Sequence, residues 1–372
     1  MRPISFEKLI QWMKTEYQNS QSIFGIHTNK FYKNTSGTRM EMFGDSVSSP
    51  VGPAAGPNSQ LAQNIIAAYL AGARFMELKT VQVMDGEELA ACIPRPCINA
   101  EDEGYNVEWS TELKVEEARD EYIKAWLAIH VVAKELGISD VKDFIFNISV
   151  GYTLDGIKTP KIDSFINDMM NASHTDIWNE SKQYLLENID IFDNVTVKDI
   201  ESIQANISPS ITISTMHGCP PEEINSIVEH LVTVKGMHTY VKCNPTLLGY
   251  EYARKILDQL GYDYLSFDQH HFQDDLQWKD AIPMFTHLQK LAKENGLIFG
   301  LKLTNTFPVE IKRSELAGEE MYMSGRALFP LSISLAQQLT EAFNGEMPLS
   351  YSGGADALNI KTIFETGIRP VT

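Results

Sequence analysis

Short apolar runs alternate along the chain with longer stretches whose apolar residues recur every three or four positions, the periods of buried strands and amphipathic helices. The strand-like runs are SPVGPAAG, RFMELKTVQ, DFIFNISVGY, SITISTMHG, HTYVKCNPT, LIFGLKLTNT, MPLSYSGGAD and GIRPVT, and each opens into a Gly, Pro or polar segment. Between them lie helical patterns such as SQLAQNIIAAYLAGA, KVEEARDEYIKAWLAIHVVAKELG, PEEINSIVEHLVTVKG, YEYARKILDQLG and NIKTIFETG. Eight strands separated by helices, with no GxGxxG turn after any strand, predict a (β/α)8 TIM barrel rather than an open dinucleotide-binding sheet. Residues 1–45 form an N-terminal extension of helix plus loop or hairpin, and 46–372 form the barrel. The long insertions at 86–113 and 151–209 are candidate lids or an accessory layer. The chain stops at or inside strand eight, so a barrel truncated there, with its final helix missing, is expected.

Composition narrows the function classes. With 43% hydrophobic and 22% charged residues the chain reads as an ordinary globular protein, without the apolar run of a membrane span or the start of a secretory signal. A cytoplasmic location is expected. A net charge of −18 with scattered Lys and Arg repels a phosphate backbone, so no nucleic-acid partner is expected. The four cysteines, Cys92, Cys97, Cys219 and Cys243, include no CxxC pair, which argues against zinc or a cluster within this stretch.

The carboxyl ends of barrel strands carry the chemistry in such folds. Three strand-like runs bear a lysine there, Lys79, Lys242 and Lys302, and an ammonium inside a barrel needs an anion, a polar ligand or a way out to water. PVGPAAGPN and YSGGAD offer small residues for close backbone approach to a ring or a phosphate. Cys219, between Gly218 and Pro220-Pro221, reads as a cap neighbour, metal ligand, nucleophile or proton carrier. Pro221-Glu222-Glu223 is also an ordinary helix start. FDQHHFQDD reads as a solvated loop, because adjacent histidines lack helical ligand spacing, and CIPRPC reads as a rigid loop.

In order, PVGPAAG, AGARFMELKT, EDEGYNVEW, the CPP after strand four, YVKCNP, LKLTNT, MSGRALFPLSI and YSGGA resemble the FMN barrel of dihydroorotate and dihydropyrimidine dehydrogenases, across residues 44–372. More narrowly, the STMHGCPP, LTNT, EEMYMSGRALFP and SYSGGA stretches resemble the amino-terminal part of a large iron–sulfur flavoprotein family named as a selenate reductase subunit and associated with purine catabolism.

The resemblance implies an FMN-dependent oxidoreductase of the dihydroorotate dehydrogenase type, acting on a small purine- or pyrimidine-derived ring. It places Ala54, Ala55 and Gly56 against the flavin, Lys79 and Thr80 at its ribityl and ring edge, Lys242 near N1 and O2, and Gly353 and Gly354 at the phosphate. Asn106 and Asn305 would read the substrate ring, and Cys219 would move a proton while the flavin moves hydride. The longer family members imply electron-transfer domains or subunits with [4Fe-4S] clusters, FAD and NAD(P)H, and related barrels dimerise. One departure is Met216-His217-Gly218-Cys219 where the family has Asn-Leu-Ser-Cys, so one substrate-reading asparagine is absent and pyrimidine specificity is open. His217 could tune the thiol or pack. Two other readings stand: a lyase or aldolase with a Schiff base on Lys242, and a scaffold without catalysis. Cys243 points away from Lys242's face if the strand alternates, and reads as packing.

Overall fold

The structure is a computed structural model that describes residues 1–100, 104–107, 112–151, 153–214 and 217–372. The flanks of EDEGYNVEW and Thr215-Met216 of the STMHGC stretch lie outside the described residues. The chain divides into two compact units, one of residues 1–86, 111–149 and 158–209, the other of 87–110, 150–157 and 210–372.

The first unit opens with the helix Phe6–Ser20, capped by Ser5, whose side chain accepts from Lys8 N, and seated by buried Phe6, Leu9, Ile10 and Met13. Two antiparallel hairpins follow, Ser22–Ile23 with Ile26–His27 and Met40–Met42 with Asp45–Val47. Strand Phe75–Glu77 pairs in parallel with Ile145–Gly151, Phe75 facing Ile145 and Glu77 facing Asn147. Helix Val115–Glu135 is buried on nearly every side from Glu121 to Ala133, and it packs on helices Ala62–Ala71, Pro160–Met170 and Asp176–Glu187. A helix covered on so much of its surface belongs in a core, and its buried Glu121 and Lys124 pair with each other.

In the second unit, strands Ser210–Ser214, His238–Cys243, Phe299–Leu303 and Leu349–Tyr351 run parallel, each pairing with the next. They are buried almost throughout, polar positions included, the pattern of strands covered on both faces. Helices Pro221–Thr233, Trp278–Glu294 and Phe329–Ala342 intervene. A separate antiparallel arm joins Ile98–Asn99, Tyr105–Asn106, Glu320–Met323 and Phe307–Glu310.

The outer two of the eight expected strands are thinner than the pattern suggests. Residues 51–53 contribute a single bridge residue, Val51, and a few ladder bonds, with Arg74 N donating to Val51 O at 2.9 Å and Glu77 N to Pro53 O at 3.3 Å. The last run contributes a bridge from Val371 to Tyr351. Pro50, Pro53 and Pro370 explain this, since each lacks the N–H that a ladder needs. Among the described residues, no helix is long and apolar enough to cross a membrane.

Candidate functional site

Five of the expected site residues lie in the first unit. Ala54, Ala55 and Gly56 follow the ladder of residues 51–53, and Ala55 N donates to Glu77 Oε2 at 3.3 Å. Gly56 closes a short 3-10 turn, donating from its N to Ser59 Oγ at 3.2 Å. Lys79 and Thr80 come directly after strand Phe75–Glu77 and are buried. The Lys79 carbonyl accepts from Tyr122 Oη at 3.0 Å, and the Thr80 and Ser149 hydroxyls pair at 2.8 Å.

The other six, Asn106, Cys219, Lys242, Asn305, Gly353 and Gly354, lie in the second unit, and there the geometry is dense. Cys219, Lys242, Asn244 and Asp275 line a cavity of about 20 Å³, enough for one water, with Ile224, Val241, Cys243, Leu247 and Leu276 completing its wall. Asp275 is its organising group. Its Oδ1 accepts from Gly218 N at 2.6 Å, and its Oδ2 accepts from His217 Nδ1 at 2.6 Å, Thr246 Oγ1 at 2.5 Å and Asn244 Nδ2 at 3.1 Å. Asn305 Nδ2 donates in turn to Asn244 Oδ1 at 3.1 Å, and Asn305 N donates to Cys243 O at 2.8 Å. Burial opposes ionisation of Asp275, yet the hydrogen bonds and the neighbouring imidazole outweigh it and hold the carboxyl below its usual range. An ionised carboxylate only accepts, so Nδ1 of His217 carries the proton.

That fixes the imidazole. Its Nε2 is buried without a hydrogen-bond partner among the described residues, the ring stacks on Tyr322 with centroids 5.9 Å apart, and the ring of His271 meets it edge-on. Asn106 attaches to the same arm, its Nδ2 donating to Tyr322 O at 3.5 Å. His217 makes no hydrogen bond to the thiol, whose recorded partner is Pro220 O at 3.9 Å. Burial, then Glu223 and Asp275, push the Cys219 thiol up to about 11. It therefore stays protonated at neutral pH, suited to giving a proton rather than to attacking as a thiolate.

Lys242 faces Lys302 in register, and Lys302, only 2% exposed, faces Ser350 and donates to Thr372 Oγ1 at 2.8 Å. Side chains at matched positions of parallel strands share a face, so the two ammonium groups together favour an anion. Gly353 and Gly354 adopt φ of +134° and +72°. A Cβ on the first would run into Ser332 Oγ, and one on the second would lie 2.5 Å from Gly325 O and 2.9 Å from Phe329 Cβ. The pair thus sits against the start of helix Phe329–Ala342. Cys243 is buried as packing, although its side also forms part of the cavity wall.

The stretch expected to be a solvated loop is different in the structure. Residues His270–Asp274 form a helical turn, His271 Nε2 reaches Glu320 Oε1 at 2.5 Å, and Asp275 is 4% exposed at the centre of the site. The polar run hid one inward carboxylate among outward neighbours. Among the described residues no group of His, Cys, Asp and Glu is placed to hold a metal ion. Sequence reasoning also passed over Asn244 and Thr246. Their signal was available, because both follow Lys242 directly at the carboxyl end of a parallel strand.

The parallel strand–helix alternation and a site gathered at strand ends define an α/β barrel of the DHODH type. A DHODH from Eimeria tenella, solved with ferulenol, matches 99% of this chain and 85% of its own with a TM-score of 0.50 at 14% identity, a likeness of fold alone. The chain belongs to the family described as "Oxidoreductase YgfK, N-terminal TIM-barrel domain", whose model matches residues 24–372. The YgfK proteins of Escherichia coli K12 and O157:H7 are each 48% identical to it over 384 aligned positions covering 100% of this chain. The chain spans 37% of their length.

Proposed function

We propose that this chain is an FMN-dependent oxidoreductase module that exchanges hydride with a small purine- or pyrimidine-derived ring, with Cys219 handling the accompanying proton. The observation that carries the reading is the shared wall of one cavity by a thiol held protonated and by Lys242, beside the Asn244–Asn305 carboxamide pair. The chemistry of the residues present suits a planar, phosphate-bearing group, and the one-water cavity marks where the thiol and Lys242 meet rather than the space such a group needs. Lys242 with Lys302 supplies cationic charge, and the close-packed Gly353 and Gly354 present backbone beside a helix start, where a phosphate is favoured. Bound FMN would supply hydride chemistry. Lys242 would hold negative charge in place, Asn305 would orient an amide edge, and Cys219 would deliver its Sγ proton to a ring carbon.

A thiol protonated at neutral pH is in the state from which a ring carbon is protonated during reduction, and the reverse step would start from the thiolate. The carboxamides favour an organic amide over selenate. Iron–sulfur clusters, FAD and NAD(P)H would reside in the chain that the longer relatives carry beyond this module, and would exchange electrons with it.

Titration with FMN, followed by flavin fluorescence, tests the reading. Saturable binding that Lys242→Ala weakens at least about tenfold supports it, the loss expected for one charge-assisted contact. No binding by this chain or by the longer protein overturns it. The paired Lys242 and Lys302 also favour a second reading, a Schiff base on Lys242. Borohydride trapping of a carbonyl ligand on that lysine would select it.

A further inference from the structure

The loop that bears Cys219 is held from a distance in sequence. Its two preceding residues, His217 and Gly218, both donate to Asp275, and so do Asn244 and Thr246 from the segment after the next strand. Four donors on one buried carboxylate exhaust most of what its two oxygens can accept. Buried polar atoms without a partner also occur elsewhere in the fold, but the one in this tie belongs to the residue two before Cys219. Here Nε2 of His217, a side chain nine-tenths buried, has no partner among the described residues, and an unmet buried nitrogen is costly. That cost is recovered when a ligand N–H or O–H donates to it.

We propose that Asp275 is the positioning residue of this site: it locks the Cys219 loop to the Asn244–Asn305 pair and turns His217 so that Nε2 accepts a hydrogen bond from the ligand. The proposal rests on Cys219 as the proton donor. It assigns Asp275 no contact with substrate, only control of the groups that make it. Asparagine cannot substitute, because its single acceptor oxygen leaves an NH2 facing donors that Oδ2 now satisfies. The titratable groups around the thiol are Asp275, Glu223 from helix Pro221–Thr233, Lys242 from its strand and His217 from the loop itself. Glu223 is a charge of the same sign without a tie to that loop, its Oε1 accepting from Leu154 N at 2.6 Å.

The test compares the wild type with Asp275→Asn and Glu223→Gln by two readouts. The first is iodoacetamide alkylation of Cys219, followed on its own peptide from pH 7 to 10. The second is hydrogen exchange of the peptide containing Gly218. Each unit by which the thiol pKa falls gives about tenfold more thiolate, and the lower nucleophilicity of that thiolate leaves about threefold faster alkylation. Glu223→Gln is expected to speed alkylation and leave exchange at Gly218 unchanged. Asp275→Asn is expected to speed both. If Asp275→Asn matches Glu223→Gln, Asp275 contributes charge alone and the proposal fails; it fails equally if Asp275→Asn matches the wild type. Should Asp275→Asn not fold, Thr246→Val keeps the charge and removes one donor. Faster exchange at Gly218 with the wild-type alkylation profile then supports the tie, and wild-type exchange overturns it. Neither readout involves flavin, so a chain that ignores FMN yet shows both changes keeps this assignment and loses the proposed function.

Discussion

Gly354→Ala separates two reasons for a glycine that the sequence cannot tell apart. Gly354 has φ of +72°, and an added Cβ would lie 2.5 Å from Gly325 O and 2.9 Å from Phe329 Cβ. Gly296, after helix Trp278–Glu294, has a similar φ of +70° but, among the described residues, nothing within 4 Å of where its Cβ would stand. Alanine at Gly296 therefore costs only the left-handed backbone, about 1–2 kcal/mol. Alanine at Gly354 adds overpacking against a backbone carbonyl that cannot rotate away, a further ~1–3 kcal/mol. The expected losses are about 1–2 against about 2–5 kcal/mol. With a urea dependence of about 3 kcal/mol per molar, the midpoint falls by about 0.3–0.7 M in one variant and about 0.7–1.7 M in the other. Urea unfolding followed by circular dichroism measures both. Equal shifts would refute the close packing of this turn, and with it the argument that Gly354 presents fixed backbone to a phosphate.

Lys242→Met is expected to weaken FMN by about tenfold to a hundredfold, as loss of one charge-assisted contact requires, while leaving the far-ultraviolet spectrum unchanged; retained affinity would remove Lys242 from the flavin site. At pH 7.5 a thiol titrating near 11 has about 300-fold less thiolate than an ordinary one, and greater nucleophilicity returns about thirteenfold. Cys219 should thus alkylate about 25-fold more slowly than a short unstructured cysteine peptide, and equal rates would sink its role as a held acid. Burial, with Lys142 nearby, pushes His130 down to about 4, so the folded chain keeps it neutral while the unfolded chain protonates near 6.5. Its cost is absent above pH 6.5, grows as pH falls toward 4 and levels off below, reaching about 3 kcal/mol. His130→Phe should flatten stability against pH in that window, and an unchanged slope would refute the burial argument.

The barrel strands were legible because they are buried on both faces. Runs such as SITIS and FGLKL carry no solvent-facing alternation, and a lysine inside one stands out against apolar neighbours. The long helices were legible for the opposite reason, since their polar faces keep the period visible. The antiparallel arm was not, because Ile98–Asn99 and Tyr105–Asn106 are each too short to show a period and are held as strands by Glu320–Met323 from far along the chain. Asp275 was hidden for a related reason. Its role is set by four donors at positions 217, 218, 244 and 246, and none of them lies near it in sequence.

The same residue explains why the departure at Met216-His217-Gly218 is compatible with a working site. Where the resembled dehydrogenases have Asn-Leu-Ser before the cysteine, the asparagine's position is Met216, outside the described residues, and the next two, His217 and Gly218, are both bound by one carboxylate. Gly218, at φ of +80°, brings its N–H to within 2.6 Å of Asp275 in a conformation that costs a side-chain-bearing residue about 1–2 kcal/mol. The imidazole then offers a ring-nitrogen acceptor, whereas a carboxamide offers both a donor and an acceptor. A ligand suited to this wall must therefore donate toward His217. That requirement selects a ring with an N–H or O–H at that edge and rejects its N-methylated counterpart, which would leave Nε2 unmet and add a methyl group against it. Comparing a lactam ring with its N-methyl derivative in the FMN-loaded protein reads this directly. A preference of at least about tenfold for the parent ring is expected, and equal binding would refute the role of Nε2.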